Sequence, residues 1–483
     1  MSPSDPARVA SSEGARFAPA QKQRWSLYAG IAEAAASAAA RREIRCWSAL
    51  AMASLAVAGA FALLLAVSRV PGAAHVFPWP VAFFQKGLVI HVVMSFVVWL
   101  LSVLGAMTTL ATLRLSAGRP RWRWLGAPAL AGAAAATAML LVPAWLDRGA
   151  PSLNNYLPVI IDPLYYGGLA VLAVSVALAV VRLLANLPGR RGPLEPVTLA
   201  AGAAGLLYLL ALACFALACL KLAAGDGAPI TVAFNEDLFW GGGHALQFVN
   251  EALMLGAWYV LGGLALGRPL VHPRLMTAAL ALLVLAALPL PFLYVFLEPF
   301  SDAQKRAFTD LQYLLAPPAL LVAAGAAATV RRAAAERLPW SAPVFHCLML
   351  SMAVFAVGGA LGLFVDGADT RTPAHYHGVA GGINLALMGL FFGLLLPVLD
   401  RPLAAGKAVL WSIWLYGIGQ LLHALGLFWA GGYGAPRKAV AADGLDGLAA
   451  NAGLYLLGVG AVIAVIGGVM FIVMVSKALL RRP

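Results

Sequence analysis

Two histidines, His375 and His377, stand two residues apart in "HYHGVAGGINLALMGLFFGLLLP", where a polar approach turns almost wholly apolar. Imidazole is costly inside a bilayer unless something compensates it, and neutral imidazole is a strong metal ligand. On a helix, positions i and i+2 point about 200° apart, because each residue turns about 100°. The pair therefore cannot easily share one metal, but it can hold two, one on either side of the helix. Haem iron suits this arrangement: a flat apolar macrocycle fits between helices and asks the protein only for axial nitrogen. Taken alone, the pair has a competing reading, two histidines at a helix mouth reaching lipid headgroups.

The elements that must position such ligands are written along the whole chain. Its 483 residues are 62% hydrophobic and 11% charged, where a soluble protein is about a quarter charged. About twelve apolar segments, each long enough to span a bilayer, fall near 48–70, 82–113, 124–145, 158–185, 197–223, 236–265, 273–298, 307–330, 342–366, 375–399, 406–431 and 448–477. The short alternating segments of a membrane β-barrel are not present. This predicts an all-α polytopic membrane protein: a tail over 1–47, one transmembrane domain over 48–478 and a short tail over 479–483. The net charge of +13 sits in short loops, so it describes topology and not nucleic-acid binding. "RLSAGRPRWR", "RLLANLPGRRG", "RRAAAER" and the C-terminal "KALLRRP" share one side with the N-terminal tail, and "DRGAPSLNNYL" and "DGADTRTPA" lie on the other. The positive-inside rule then places both termini in the cytoplasm, as in a bacterial inner membrane. Cys46, Cys214, Cys219 and Cys347 form no CxxC motif, and structural thiols are expected.

That topology sorts the eight histidines. His91 lies in the second segment and His244 in the sixth, each about nine residues from the outer side, and His375 and His377 open the tenth from the same side. Four histidines on three helices thus share one depth, which favours haem over headgroups. His272 and His346 fall at the cytoplasmic side and His75 in an outer loop, where a solvated or interfacial role is expected. His423, in the eleventh segment, reads as a structural hydrogen bonder.

With these residues placed, the pattern resembles the catalytic subunit I of the haem–copper oxidase superfamily, which includes cytochrome c oxidases and nitric oxide reductases. "GAPRK" after the eleventh segment is similar to the family's G-x-P-R-R stretch, and "LALMGLFFGLLLP" looks closest to the nitric oxide reductase and cbb-type branch. The resemblance implies two b-type haems: a low-spin haem held by His91 and His377, and a high-spin haem held by His375. It implies His244 as a ligand of a second, non-haem metal (iron or copper), and Arg437 and Lys438 as partners of haem propionates.

One part of the pattern departs. The seventh segment, "LMTAALALLVLAALPLPFLYVFLEPFSD", has no histidine where the family carries an adjacent pair for the second metal. One register puts Phe300 and Ser301 there, another Tyr294 and Val295. The oxygen donors Glu298, Asp302 and Glu251 are nearby candidates, and carboxylates favour harder metals than copper(I). Glu251 follows His244 by seven residues, on the same helix face about 10 Å deeper. His244, Gln247, Phe248 and Glu251 form one stripe, and a buried glutamate there suits proton delivery. A glutamate hydrogen-bonded between helices is the plainer alternative. Tyr294 is a second candidate donor, or a packed aromatic.

The resemblance implies a respiratory membrane oxidoreductase that passes electrons from the low-spin to the high-spin haem, where O2 or NO is reduced. With no haem c motif and no soluble copper domain in the sequence, an electron-donor subunit or a cytochrome c-like protein is expected as partner. The alternative is a non-catalytic haem electron conduit or gas sensor with a degenerate metal site.

Overall fold

The computed structural model describes residues 26–67, 81–225, 229–334, 338–365, 367, 369–437 and 447–481. Twelve helices are long and apolar enough to cross a membrane. They are α1 (Ala38–Leu65), α2 (Phe84–Leu115), α3 (Arg123–Trp145), α4 (Pro163–Ala185), α5 (Pro196–Ala223), α6 (Val232–Leu266), α7 (Pro273–Phe296), α8 (Asp302–Ala334), α9 (Pro343–Gly362), α10 (Arg371–Val398), α11 (Lys407–Gly432) and α12 (Leu448–Leu480). The first starts at Ala38, well before the onset at 48 expected from hydropathy, because "AAARREIRC" carries its charges on a helix that continues into the apolar run. A separate short helix, Ser26–Ala34, precedes it.

Helix starts follow from the sequence. Pro163, Pro196, Pro273 and Pro343 open α4, α5, α7 and α9, where a missing N–H costs nothing. The side chains of Asp162, Thr231 and Ser301 accept from the backbone N–H groups of Leu164, Phe234 and Gln304 at 2.8, 3.2 and 3.2 Å. Such caps satisfy donors that a membrane helix cannot leave bare.

Consecutive helices pack as antiparallel pairs, and α12 returns to pack on α1. Three helices lie inside this arrangement. The best apolar windows of α2, α6 and α10 are 72%, 89% and 83% buried, whereas no other span exceeds 56%. These three inner helices are the ones that carry His91, His244, His375 and His377.

Two of them are locally underwound. A π turn, Val93–Val98, interrupts α2 directly after His91, and another, Phe391–Leu395, interrupts α10. Single π turns inside α-helices occur frequently at functional sites. At the end that the loop charges assign to the outside, strands β1 (Ala150–Ser152) and β2 (Val159–Ile161) form an antiparallel hairpin between α3 and α4. At the opposite end Arg182 of α4, 2% exposed, meets Glu43 of α1 at 2.5 Å, and the guanidinium also reaches Thr109 of α2 at 3.3 Å.

Candidate metal centre

Three histidines repeat one arrangement. His91 Nδ1 lies 2.9 Å from the carbonyl of Ala58 on α1. His375 Nδ1 lies 2.8 Å from the carbonyl of Gly358 on α9. His423 Nδ1, on α11, lies 3.0 Å from the carbonyl of Leu457 on α12. A carbonyl can only accept, so each Nδ1 carries the proton and each Nε2 carries the lone pair. Fixing the tautomer through the far nitrogen is how proteins prepare a histidine to bind metal. Three imidazoles cost little here because each spends its N–H on a neighbouring helix.

Close helix contact brings those carbonyls into range. A Cβ on Gly362 would lie 2.6 Å from His375 Nδ1, and Gly358 and Gly378 let α9 and α10 touch backbone to backbone. His377 turns the other way, as its i+2 spacing requires. Its ring lies 4.6 Å from that of His423 at 75°. Between the two histidines, Tyr376 meets Phe96 edge-on at 6.3 Å, so the "HYH" turn of α10 rests on the π turn that follows His91. Deeper on the His377 side, Trp99 Nε1 donates to Asn384 Oδ1 at 2.9 Å, and Asn384 Nδ2 donates to the Tyr416 hydroxyl at 2.8 Å. This chain joins α2, α10 and α11.

His244 is built differently. It is fully buried, its Nδ1 donates to the Trp240 carbonyl at 2.7 Å, and its Nε2 accepts from the Tyr156 hydroxyl at 2.8 Å. Thr309 Oγ1 approaches the same nitrogen at 3.5 Å. Aromatic rings surround it: Tyr156 at 4.2 Å, Trp240 at 4.8 Å and Phe308 at 5.8 Å between centroids.

The oxygen donors expected to help His244 do not gather around it. Glu298 is exposed, in the turn that caps α8, where its carbonyl accepts from Ser301 Oγ at 2.7 Å. Asp302 is exposed too, and begins α8. Among the described residues no group of three or more His, Cys, Asp or Glu side chains is placed to hold a metal ion. The donor set therefore fits axial ligands of haem but does not fit a second metal at His244.

Glu251 is 3% exposed, lies beside the Ala319 backbone of α8, and its Oε1 has no hydrogen-bond partner among the described residues. Tyr294, 2% exposed, sets its hydroxyl on Gly241, where a Cβ would lie 2.5 Å away. Tyr294 and His244 share Phe308, which lies 5.5 Å from the tyrosine ring. Arg437 donates to the carbonyl of Gly367 at 3.1 Å and to Asn155 Oδ1. Lys438 lies outside the described residues, as does His75.

His423 makes the structural hydrogen bond expected of it; sequence reasoning missed that it also shares the neighbourhood of His377, and it missed Tyr156. Tyr156 gave no signal of its own, although the three glycines before His244 did. Gly241, Gly242 and Gly243 leave room in turn for Tyr294 with Phe308, for Phe215, and for Tyr156. His346, expected in a solvated or interfacial role, is buried: its Nε2 donates to the Trp340 carbonyl at 2.6 Å and its Nδ1 accepts from Trp414 at 3.2 Å.

A family model for cytochrome c and quinol oxidase polypeptide I matches residues 44–470. An uncharacterised protein of Aquifex aeolicus is 28% identical over 355 residues, covering 72% of this chain and 83% of its own. Cytochrome c oxidase subunit 1 of Thermus thermophilus is 28% identical over 229 residues, 43% of this chain and 41% of that protein. A haem–copper terminal oxidase dimer solved by electron cryo-microscopy superposes with a TM-score of 0.76 at 16% identity, over 92% of this chain and 85% of that one. At that identity the likeness is one of fold.

Proposed function

The chain belongs to the cytochrome c and quinol oxidase polypeptide I family, and from that premise we propose that it is a haem-bearing respiratory oxidoreductase acting on a small gas, O2 or NO. In this reading His91 and His377 hold a low-spin haem and His375 a high-spin one. The haems supply electron transfer and gas reduction when bound; the protein supplies ligands, orientation and protons.

The observation that carries the reading is the shared tautomer. His91 and His375 both donate Nδ1–H to carbonyls of neighbouring helices, which leaves Nε2 as the nitrogen to face iron. Tyr376 on Phe96 keeps α10 against α2 between the two haem positions. Arg437, at the outer end, would meet propionates by charge-assisted hydrogen bonds. Glu251 is the proton-holding group: its carboxyl is enclosed among apolar helices, with one oxygen that has no hydrogen-bond partner among the described residues. Tyr294 is a second donor next to the same aromatic layer. Electrons come from a partner subunit or a cytochrome c-like protein, and both termini face the cytoplasm of a bacterial inner membrane.

A second reading, a haem conduit or gas sensor without turnover, draws support from the enclosure of His244 by Tyr156. Reduced-minus-oxidised spectra with and without carbon monoxide, followed by O2 and NO consumption with an artificial donor, separate them. Two haems, one binding carbon monoxide, with gas consumption support the first reading. The same spectra without consumption support the second, and a protein without haem sinks both.

A further inference from the structure

The environment of His244 is built around a hydrogen bond. Three features converge on it. Gly243 has no side chain, and a Cβ there would collide with Tyr156, so the ring can lie directly on α6. Tyr156 itself is held at φ 60°, a conformation that a bulky residue adopts only when its surroundings impose it. Its neighbour Asn155 is pinned to α6 from two atoms: its backbone N–H and its Nδ2 donate to the two carboxylate oxygens of Glu236 at 2.7 and 2.5 Å. Asn154 Nδ2 closes the turn on the Leu157 carbonyl at 2.6 Å. The hydroxyl is thus delivered to His244 Nε2 by a braced loop and not by a freely turning side chain.

The chemistry of the pair agrees with the geometry. His244 Nδ1 must donate to the Trp240 carbonyl, so Nε2 can only accept, and the Tyr156 hydroxyl is its donor. A metal at Nε2 would need that position vacated and at least two further ligands. Tyr294 and Val295, one of the two registers for the missing pair, supply no nitrogen.

We infer that Tyr156 is a positioning residue that has taken the coordination position of His244, making the outer half of α6 a metal-free tyrosine–histidine pair. His244 then holds no second metal. The inference does not depend on turnover or on haem: a chain without haem would sink the reading of the preceding section and leave this one standing.

The test uses the full chain purified in detergent. Metal analysis before and after incubation with cuprous and with ferrous ions is expected to show no metal beyond haem iron, and His244→Ala to leave that content unchanged. One equivalent of non-haem metal per chain, lost in His244→Ala, overturns the inference. Ultraviolet resonance Raman spectra are expected to show one strongly donating tyrosine that vanishes in Tyr156→Phe and becomes weakly bonded in His244→Ala. A tyrosine signature unchanged by His244→Ala likewise overturns it. Tyr156→Phe keeps the ring that fills the space beside Gly243, so it tests the hydrogen bond even where His244→Ala does not fold.

Discussion

His375 and His244 sit on inner helices that pack against one another, and both send Nδ1 to a backbone carbonyl. They differ in what meets the other nitrogen. His375 donates Nδ1–H to the Gly358 carbonyl, and its Nε2 meets no hydrogen-bond partner among the described residues, whereas His244 Nε2 is claimed by Tyr156. The same residue type, in the same bundle, keeps one nitrogen open in one place and is sealed in the other. His244 is fully buried and His375 half-buried, and the group that meets the second nitrogen makes that difference.

The sharpest way to break this comparison is to remove the ligands. His375→Ala should abolish the carbon monoxide-binding haem and spare the other, and His91→Ala should do the reverse, read from difference spectra of the purified variants. Loss of the same haem in both would erase the distinction between the two sides of α10.

Next comes the proton side. Glu251→Gln keeps shape and burial but cannot release a proton. Turnover with the active gas should fall about 100-fold, in the range of a positioned acid–base group, with haem spectra unchanged. An unchanged rate would make Glu251 a packing residue.

A smaller effect is expected at the glycine that admits Tyr156. Gly243→Ala forces the ring off α6 and should destabilise the fold by about 1–3 kcal/mol, the usual cost of overpacking, seen as a lower thermal midpoint in detergent. Gly202→Ala on α5, where a Cβ meets nothing within 4 Å, should be neutral or stabilising and serves as the control.

The smallest effect concerns the outer strap. Asp369 pairs with Pro436 across a backbone bridge and with Arg371 at 2.7 Å. Burial alone would raise its carboxyl, but hydrogen bonds and charge from Arg371 hold it below the usual range. A depressed folded value means that its stabilisation is present above the unfolded value, about 3.9, and is lost as pH falls through the folded one. Wild type should therefore lose a small increment of stability below about pH 4 that Asp369→Asn lacks.

Much of the fold was legible because hydrophobic length is a local property. Each of the twelve spans shows in its own residues, and the histidines stood out as polar groups in apolar runs. The chain was less legible where a partner comes from far away. Tyr156 reaches His244 across 88 positions, and no window of sequence contains both. Glu298 looked like a ligand because it follows an apolar run, but Phe300 at φ 66° and the Ser301 cap turn the chain there and leave the carboxylate outside. The α1 start was misjudged because hydropathy marks the membrane, and a helix can begin before it.

The π turn after His91 has a consequence for what substitutions and deletions α2 can bear. A π turn holds one more residue than the α turn it replaces, so the helix on either side of it keeps nearly the bearing of an uninterrupted α-helix one residue shorter. Deleting one residue within Val93–Val98 would relax that turn and leave His91 and Trp99 facing much as they do now. The same deletion in the regular helix Trp99–Leu115 would turn everything beyond the cut by about 100°. Beside its histidine, α2 thus has one place where its length can change without turning the ligand away from its partners.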